Sequence, residues 1–264
     1  MLPFLNIAIR AARRAGEVIL RGLDTLETVA TMSKGRNDFV TEVDRRAEQE
    51  IIQIIKNVYP GHSFLAEESG KHSGDECVWI IDPLDGTNNF IHGVPHFAVS
   101  IALEIKGRTE IGVIYDPIRQ ELFTAIRGGS SKLNDRRIRV SNKLKLSDSM
   151  LGTGFPFREG QPLDVYLDGF ARLLPLAAAV RRPGAAVLDL AYVAAGRFDG
   201  FWEIGLQAWD MAAGVLMVRE AGGLVGDFQG GNDFIQSGNI VAGNPKVFKA
   251  ILQALHPGLP EGFK

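Results

Sequence analysis

The sequence predicts a mixed α/β fold of the α+β type, and three observations carry that expectation. Apolar residues recur at helical spacing from Leu5 to Val58, short β-branched runs crowd the stretch from Val78 to Ile126, and strand-like and helix-like segments alternate after about Ser147. The first helix runs from Leu5 to Leu20, with Leu5, Ala8, Ile9, Ala12, Ala15 and Ile19 on one side and Arg10, Arg13, Arg14 and Glu17 on the other. A second starts near Thr41 and carries Val43, Ala47, Ile51, Ile54 and Ile55 inward until Tyr59-Pro60-Gly61 stops it near Val58. Between them Lys34-Gly35-Arg36-Asn37-Asp38 reads as a polar, flexible connection. Phe64-Leu65-Ala66 is a short apolar run that ends in Glu67 and Glu68. Strands at Val78 to Ile81, Phe97 to Glu104, Glu110 to Tyr115 and Glu121 to Ile126, with turns at Lys106-Gly107-Arg108 and Asp116-Pro117, suggest an antiparallel sheet. Downstream, strands Met150 to Thr153, Phe201 to Ile204 and Ile240 to Ala242 interleave with helices Leu163 to Leu174, Ala185 to Ala195, Met211 to Ala221 and Pro245 to Leu255. No repeat or long linker divides the chain. Residues 1–264 therefore read as one compact unit, an α+β half over about 1–146 and an α/β half over about 147–264, with a site in the cleft between them.

Composition narrows the function classes. A chain of 264 residues, 45% hydrophobic, is long enough for a sizeable core. A net charge of −2 with dispersed basic residues gives no nucleic-acid footprint. The lone Cys77, inside an apolar strand, cannot form an internal disulfide and reads as a structural thiol. With no signal-peptide layout at Met1-Leu2-Pro3-Phe4, the expected compartment is the cytoplasm. No run is long enough to span a membrane. The five histidines show no metal-ligand spacing, and His92 and His96, near Phe90, read as pocket-lining or structural.

Chemistry concentrates in Trp79-Ile80-Ile81-Asp82-Pro83-Leu84-Asp85-Gly86-Thr87-Asn88-Asn89-Phe90, an apolar run that stops at two carboxylates, a glycine and a threonine. Carboxylates at a strand end suit a hard cation such as Mg²⁺. Gly86 allows close backbone approach to a phosphate, and amides after it donate to an anion if a helix starts there. Asp-Pro-Leu-Asp-Gly is equally good turn chemistry. Glu67, at the end of a second apolar run, tips the balance toward two strand ends converging on one metal pocket.

These blocks, Ala66-Glu67-Glu68-Ser69, the stretch from Asp82 to Phe90, and Trp209-Asp210 before Ala212-Ala213-Gly214, resemble the inositol monophosphatase family in order and spacing. The likeness extends from Ala11-Ala12-Arg13-Arg14-Ala15-Gly16 to Asn239-Ile240-Val241-Ala242-Gly243-Asn244-Pro245. It implies the layered αβαβα sugar-phosphatase fold and a Mg²⁺-dependent phosphatase of inositol-1-phosphate and similar polyol monophosphates, inhibited by lithium. It also implies two or three Mg²⁺ held by Glu67, Asp82, the Leu84 carbonyl, Asp85 and Asp210. Glu67 and Thr87 become the pair that activates water, and Asp44 the residue that orients Thr87; Thr41-Glu42-Val43-Asp44 is also a capping-box sequence, so Asp44 has two readings. Asp210 likewise doubles as an N-cap candidate. Substrate contacts fall on Glu67, Leu84, Asp85, Gly86, Thr87, Gly184, Ala185, Ala186, Glu203 and Asp210. Lys34 reads as a screening charge or a solvated lysine.

Ala185 departs from the family pattern, in which Ser or Thr is common, and so removes a hydroxyl donor for the sugar. Asn88 stands where Thr is frequent. Asn89-Phe90 sets the chain apart from adenosine bisphosphate phosphatases, which tend to have Lys-Glu-Phe there. A fructose-1,6-bisphosphatase-like activity is a competing expectation, with Arg158, Arg172, Arg181 and Arg182 as sources of positive charge. A binding role is another: bacterial relatives are associated with transcription antitermination through RNA polymerase and Nus factors. A homodimer is expected, with Val180-Arg181-Arg182-Pro183 and the Leu188-Asp189-Leu190-Ala191-Tyr192 helix as either its surface or part of the core.

Overall fold

The computed structural model describes residues 1–26, 31–35, 38–156, 160–260 and 263, with the backbone alone for 31–35 and 38–40. The chain runs α1 (Leu2–Asp24), β1 (Thr31–Gly35), β2 (Asp38–Thr41), α2 (Glu42–Lys56), β3 (Ser63–Ala66), β4 (Gly70–His72), β5 (Cys77–Asp85), α3 (Thr87–Ile91), β6 (Ala98–Ile105), β7 (Arg108–Asp116), β8 (Glu121–Ile126), β9 (Ser131–Leu133) and β10 (Arg136–Arg137). Then come β11 (Met150–Thr153), α4 (Leu163–Leu173), β12 (Ala179–Arg181), α5 (Ala186–Ala194), β13 (Gly200–Glu203), α6 (Ala208–Glu220), β14 (Leu224–Gly226), α7 (Phe234–Ser237), β15 (Ile240–Gly243) and α8 (Pro245–Leu255). Where the sequence reads a flexible connection, β1 and β2 pair antiparallel; Arg36 and Asn37 lie outside the described residues, as do the side chains of Lys34 and Asp38. α1 begins ahead of Leu5 because Pro3 is tolerated in a first turn, where its missing N–H has no intrahelical partner.

Two sheets organise the molecule. One has the order β10-β9-β8-β7-β6-β5-β3-β4, the other β12-β11-β13-β15-β14. The first departs from the antiparallel expectation at one place: β3 runs parallel to β5, with Ala66 opposite Ile81. In the second, β11 pairs parallel with β12 and β13, while β15 is antiparallel to β13 and β14.

Strand alternation sends Trp79 and Ile81 to a core shared with α1 and α2, and Ile80 to a core shared with α5 and α6. That second core reaches Phe201, Ile240 and Ala242 of the other sheet, whose far face (Leu151, Trp202, Val241) packs against α4 and α8. The layers are therefore α, β, α, β, α. α6 occupies the middle layer because it is apolar all round, with Met211 to Val218 buried. The buried helix α5 likewise places Leu188 and Leu190 in the core, so of its two readings, contact surface or part of the core, the second holds for these residues.

Candidate active site

β5 does not end at Asp82. It continues to Asp85 through an irregularity, with Asp82 opposite Ser100 and Asp85 opposite Ala98 and the register shifting between them. Pro83 sits in this gap because it has no N–H to give to a ladder, and the bulge turns two carboxylates toward one cavity. Asp82 Oδ1 accepts the Leu84 N–H at 3.0 Å, closing the turn. The parallel register of β3 on β5 brings Glu67 beside Asp82, and the Glu67 N–H donates to the Ile81 carbonyl at 3.1 Å.

Gly86 is the N-cap of α3 at φ 94°, in the left-handed region. A Cβ there would also stand 2.9 Å from the His96 carbonyl oxygen, so only glycine fits. Thr87 follows as the first helical residue. Its hydroxyl donates to Asp44 Oδ1 at 2.9 Å and lies 3.0 Å from the Leu84 carbonyl. Asp44 Oδ2 accepts the Thr41 N–H at 2.9 Å and the Thr41 hydroxyl, completing the capping box of α2. Both readings of Asp44 thus describe real contacts.

Asp210 arrives from the second half. It is not the N-cap: α6 starts earlier than its apolar run suggests, Gln207 is the N-cap, and Asp210 Oδ2 accepts the Gln207 N–H at 2.7 Å from the third helical position. Ser100 Oγ donates to the Trp209 carbonyl at 3.3 Å and ties this helix start to β6. Asp85 Oδ2 accepts the Val187 N–H at 2.7 Å, in the first turn of α5, whose N-cap Ala185 has no side chain to serve there. Three acids of the site therefore each satisfy an N–H at a helix start.

A cavity of about 130 Å³ is lined by Glu67, Asp82, Leu84, Asp85, Gly86, Thr87, Gly184, Ala185, Ala186, Glu203 and Asp210 together. Asp44, expected to act through Thr87, stands outside the cavity, behind Thr87. Glu203 closes the wall formed by β13, packed against Gly154 where a Cβ would not fit. Burial, then the neighbouring Glu67, Asp85 and Asp210, push the Asp82 carboxyl well above the ordinary range. Burial, then Asp210, do the same to Asp85. Burial also raises Asp44, against the hydrogen bonds from Thr41 and Thr87 that pull it down. Carboxylates crowded this way favour a bound cation, and an all-oxygen donor set fits Mg²⁺.

Several residues in and around the site escape a sequence reading. Thr153, Phe155, Gln161 and Asp189 also line the cavity. Glu48 lies outside it, yet its buried carboxylate accepts the Glu68 and Ser69 N–H groups at 2.8 and 2.9 Å and so holds the turn that presents Glu67. Its signal was a charge on the apolar stripe Val43-Ala47-Ile51-Ile55, as Asp189 is a charge within Val187-Leu188-Asp189-Leu190. Asn89 spans the two halves, its amide donating to the His96 and Pro183 carbonyls at 2.8 and 3.0 Å. Of the arginines considered for a second phosphate, Arg182 lines the cavity, Arg172 pairs with Asp168 on the outer face of α4, Arg181 is exposed, and Arg158 lies outside the described residues.

His92 and His96 do not line the cavity. Burial, then Arg119, push His96 down to about 4, so it is neutral near neutral pH. Cys77, half-buried at the start of β5, has its thiol raised by burial and by Asp75 and Glu76. His62, Asp75 and Cys77 do form a group with ligand atoms within 4.8 Å, which their scattered sequence positions conceal. His62 Nδ1 accepts the Trp79 indole N–H at 2.9 Å, which leaves the proton on Nε2 and no free lone pair, so this group pins β5 rather than offering a metal site. Among the described residues no helix is long and apolar enough to cross a membrane.

The chain and its fold resemble known proteins over nearly their whole length. Over its full length the chain is 56% identical to all of the Pseudomonas aeruginosa protein named Nus factor SuhB. The structure of extragenic suppressor protein suhB from Bartonella henselae superposes with a TM-score of 0.95 at 46% identity, covering 97% of this chain and 100% of that one. Inositol monophosphatase from Anabaena (Nostoc) gives 0.85 at 40% identity, over 99% and 98%. Residues 1–258 match the family described as inositol monophosphatase. With that match joined to the five-layer fold and the acid-lined cavity, the chain belongs to the inositol monophosphatase family.

Proposed function

We propose that the protein is a cytoplasmic, Mg²⁺-dependent phosphatase that hydrolyses inositol-1-phosphate and related small polyol monophosphates. The observation that carries this reading is the convergence of Glu67, Asp82, Asp85, Asp210 and Thr87 on one cavity, with Asp44 behind Thr87. Those acids and the Leu84 carbonyl would hold two or three Mg²⁺, which when bound supply charge neutralisation and a water of lowered pKa. Thr87 commits its proton to Asp44, so its oxygen is left to accept from a water in the cavity and orient it. Glu67, at the end of β3, takes that water's proton. The phosphate lies over the backbone of Gly86 and Thr87, where the absence of a Cβ permits close approach. The alcohol half lies toward Gly184, Ala185, Ala186 and Glu203. Phosphate release from inositol-1-phosphate, fructose-1,6-bisphosphate and 3′-phosphoadenosine-5′-phosphate, with Mg²⁺ titrated and lithium added, tests the reading. Mg²⁺-dependent, lithium-sensitive turnover of the first is expected, and a folded protein inactive on all three would refute it.

A second role is supported by the 56% identical relative named as a Nus factor. Here the protein, as a homodimer, associates with RNA polymerase and Nus factors in transcription antitermination without using the metal site. Asp82→Asn is then expected to abolish hydrolysis and to leave polymerase capture unchanged; joint loss of both would refute the independence of the two roles.

A further inference from the structure

Asp189, the fourth residue of α5, is 1% exposed and borders the cavity, yet its Oδ1 has no hydrogen-bond partner. A buried carboxyl oxygen left unpaired is costly, and native structures retain few such groups without a use for them. Its electrostatic neighbours are the acids Glu203 and Asp85 and the cation Arg182. Burial, then Glu203 and Asp85, raise its carboxyl well above the ordinary range. Arg182, whose guanidinium lies 5.1 Å over the Phe155 ring, is the one cation among the lining residues described, against the acids Asp85, Asp189 and Glu203. A wall of three acids and a single cation suits a neutral group rich in hydroxyls better than a second phosphate.

We propose that Asp189 determines specificity by hydrogen-bonding a hydroxyl of the substrate's alcohol half, selecting a monophosphorylated polyol over a bisphosphate or a hydroxyl-poor ester. The proposal rests on the phosphatase reading above. With Ala185 offering no hydroxyl, Asp189 supplies the polar contact on α5 itself.

The test compares wild type, Asp189→Leu and Asp189→Asn on inositol-1-phosphate and p-nitrophenyl phosphate, with thermal melts alongside. In Asp189→Leu the ratio of kcat/KM for the inositol ester to that for the nitrophenyl ester is expected to fall about 10- to 100-fold, the scale of a lost hydrogen bond to a polar group in an enclosed site. The melting temperature is expected to stay level or rise, because the unpaired carboxyl is gone. Asp189→Asn, which keeps an acceptor oxygen and nearly the same shape, should keep most of the selectivity. A ratio unchanged within about two-fold, or a fall in ratio accompanied by a lower melting temperature, overturns the proposal and leaves Asp189 a structural group. A wild type that fails on the inositol ester sinks the phosphatase reading and this proposal with it; an active wild type whose Asp189→Leu variant keeps its selectivity sinks this proposal alone.

Discussion

Asp44 divides its carboxylate between two tasks, one oxygen for the Thr41 N–H that starts α2 and one for the Thr87 hydroxyl at the cavity. The two can be separated. Thr87→Ala removes the catalytic contact and leaves the cap, so kcat is expected to fall about 10²- to 10⁴-fold with little change in melting temperature. Asp44→Ala should lose a similar factor and also about 0.5–2 kcal/mol of stability with the capping box, measured by urea unfolding. Since the pair acts as a unit, the double variant should be barely slower than either single one. Additive losses would show that Asp44 does not work through Thr87. The sequence displayed both roles, because Thr41-Glu42-Val43-Asp44 is a capping box and the family blocks point to Asp44; only the fold shows that one side chain reaches both partners.

At the scale of elements, the site is an assembly of strand ends and helix starts, and its precision depends on residues outside the cavity. Glu48 on α2 grips the turn after β3 through two N–H groups. Glu48→Ala leaves those donors without their carboxylate, so about 2–3 kcal/mol of stability and at least tenfold in kcat/KM are expected to go, with Glu48→Gln intermediate because its amide has a single acceptor. Unchanged kcat/KM in a folded Glu48→Ala protein would refute the positioning role. Elements long enough to show a pattern were legible: β8 and β11, of six and four residues, and α8 from Pro245 to Leu255, lie where apolar pattern and turn residues place them. Short elements were not. β9, β12 and β14 hold three residues each, too few for a pattern, and they exist because a neighbouring strand offers them a ladder. The bulge in β5 was equally hidden, since Pro83-Leu84 reads as a turn that ends a strand and not as an irregularity within one.

For the whole molecule, the balance between fold and charge sets how stability depends on pH. Asp82 and Asp85 hold their protons to higher pH in the folded state than in the unfolded chain. The folded state therefore binds more protons, and without metal this contribution to stability is full below the unfolded pKa and is lost as pH rises through the raised values. The metal-free protein is expected to melt lower at about pH 8 than the same protein with saturating Mg²⁺, and the gap should narrow toward about pH 5. Asp82→Asn should melt higher than wild type in the metal-free state at the upper pH and gain less from Mg²⁺. A Mg²⁺ effect independent of pH would contradict this account. Periodicity and spacing did not show the meeting of distant parts, and only the family resemblance put Asp210, Gly184 and Glu203 with Glu67; they line one cavity because α5 and α6 are sandwiched between two sheets. The same arrangement bears on descent. Asp44, Asp85 and Asp210 each satisfy an N–H at a helix start, so a lineage that gave up hydrolysis and survived on its partner surface would still be under selection to keep acids or their amides at these positions. An intact set of acids in a distant descendant is thus a record of its scaffold, and continued hydrolysis has to be judged from residues such as Thr87 and Asp189, which cap no helix.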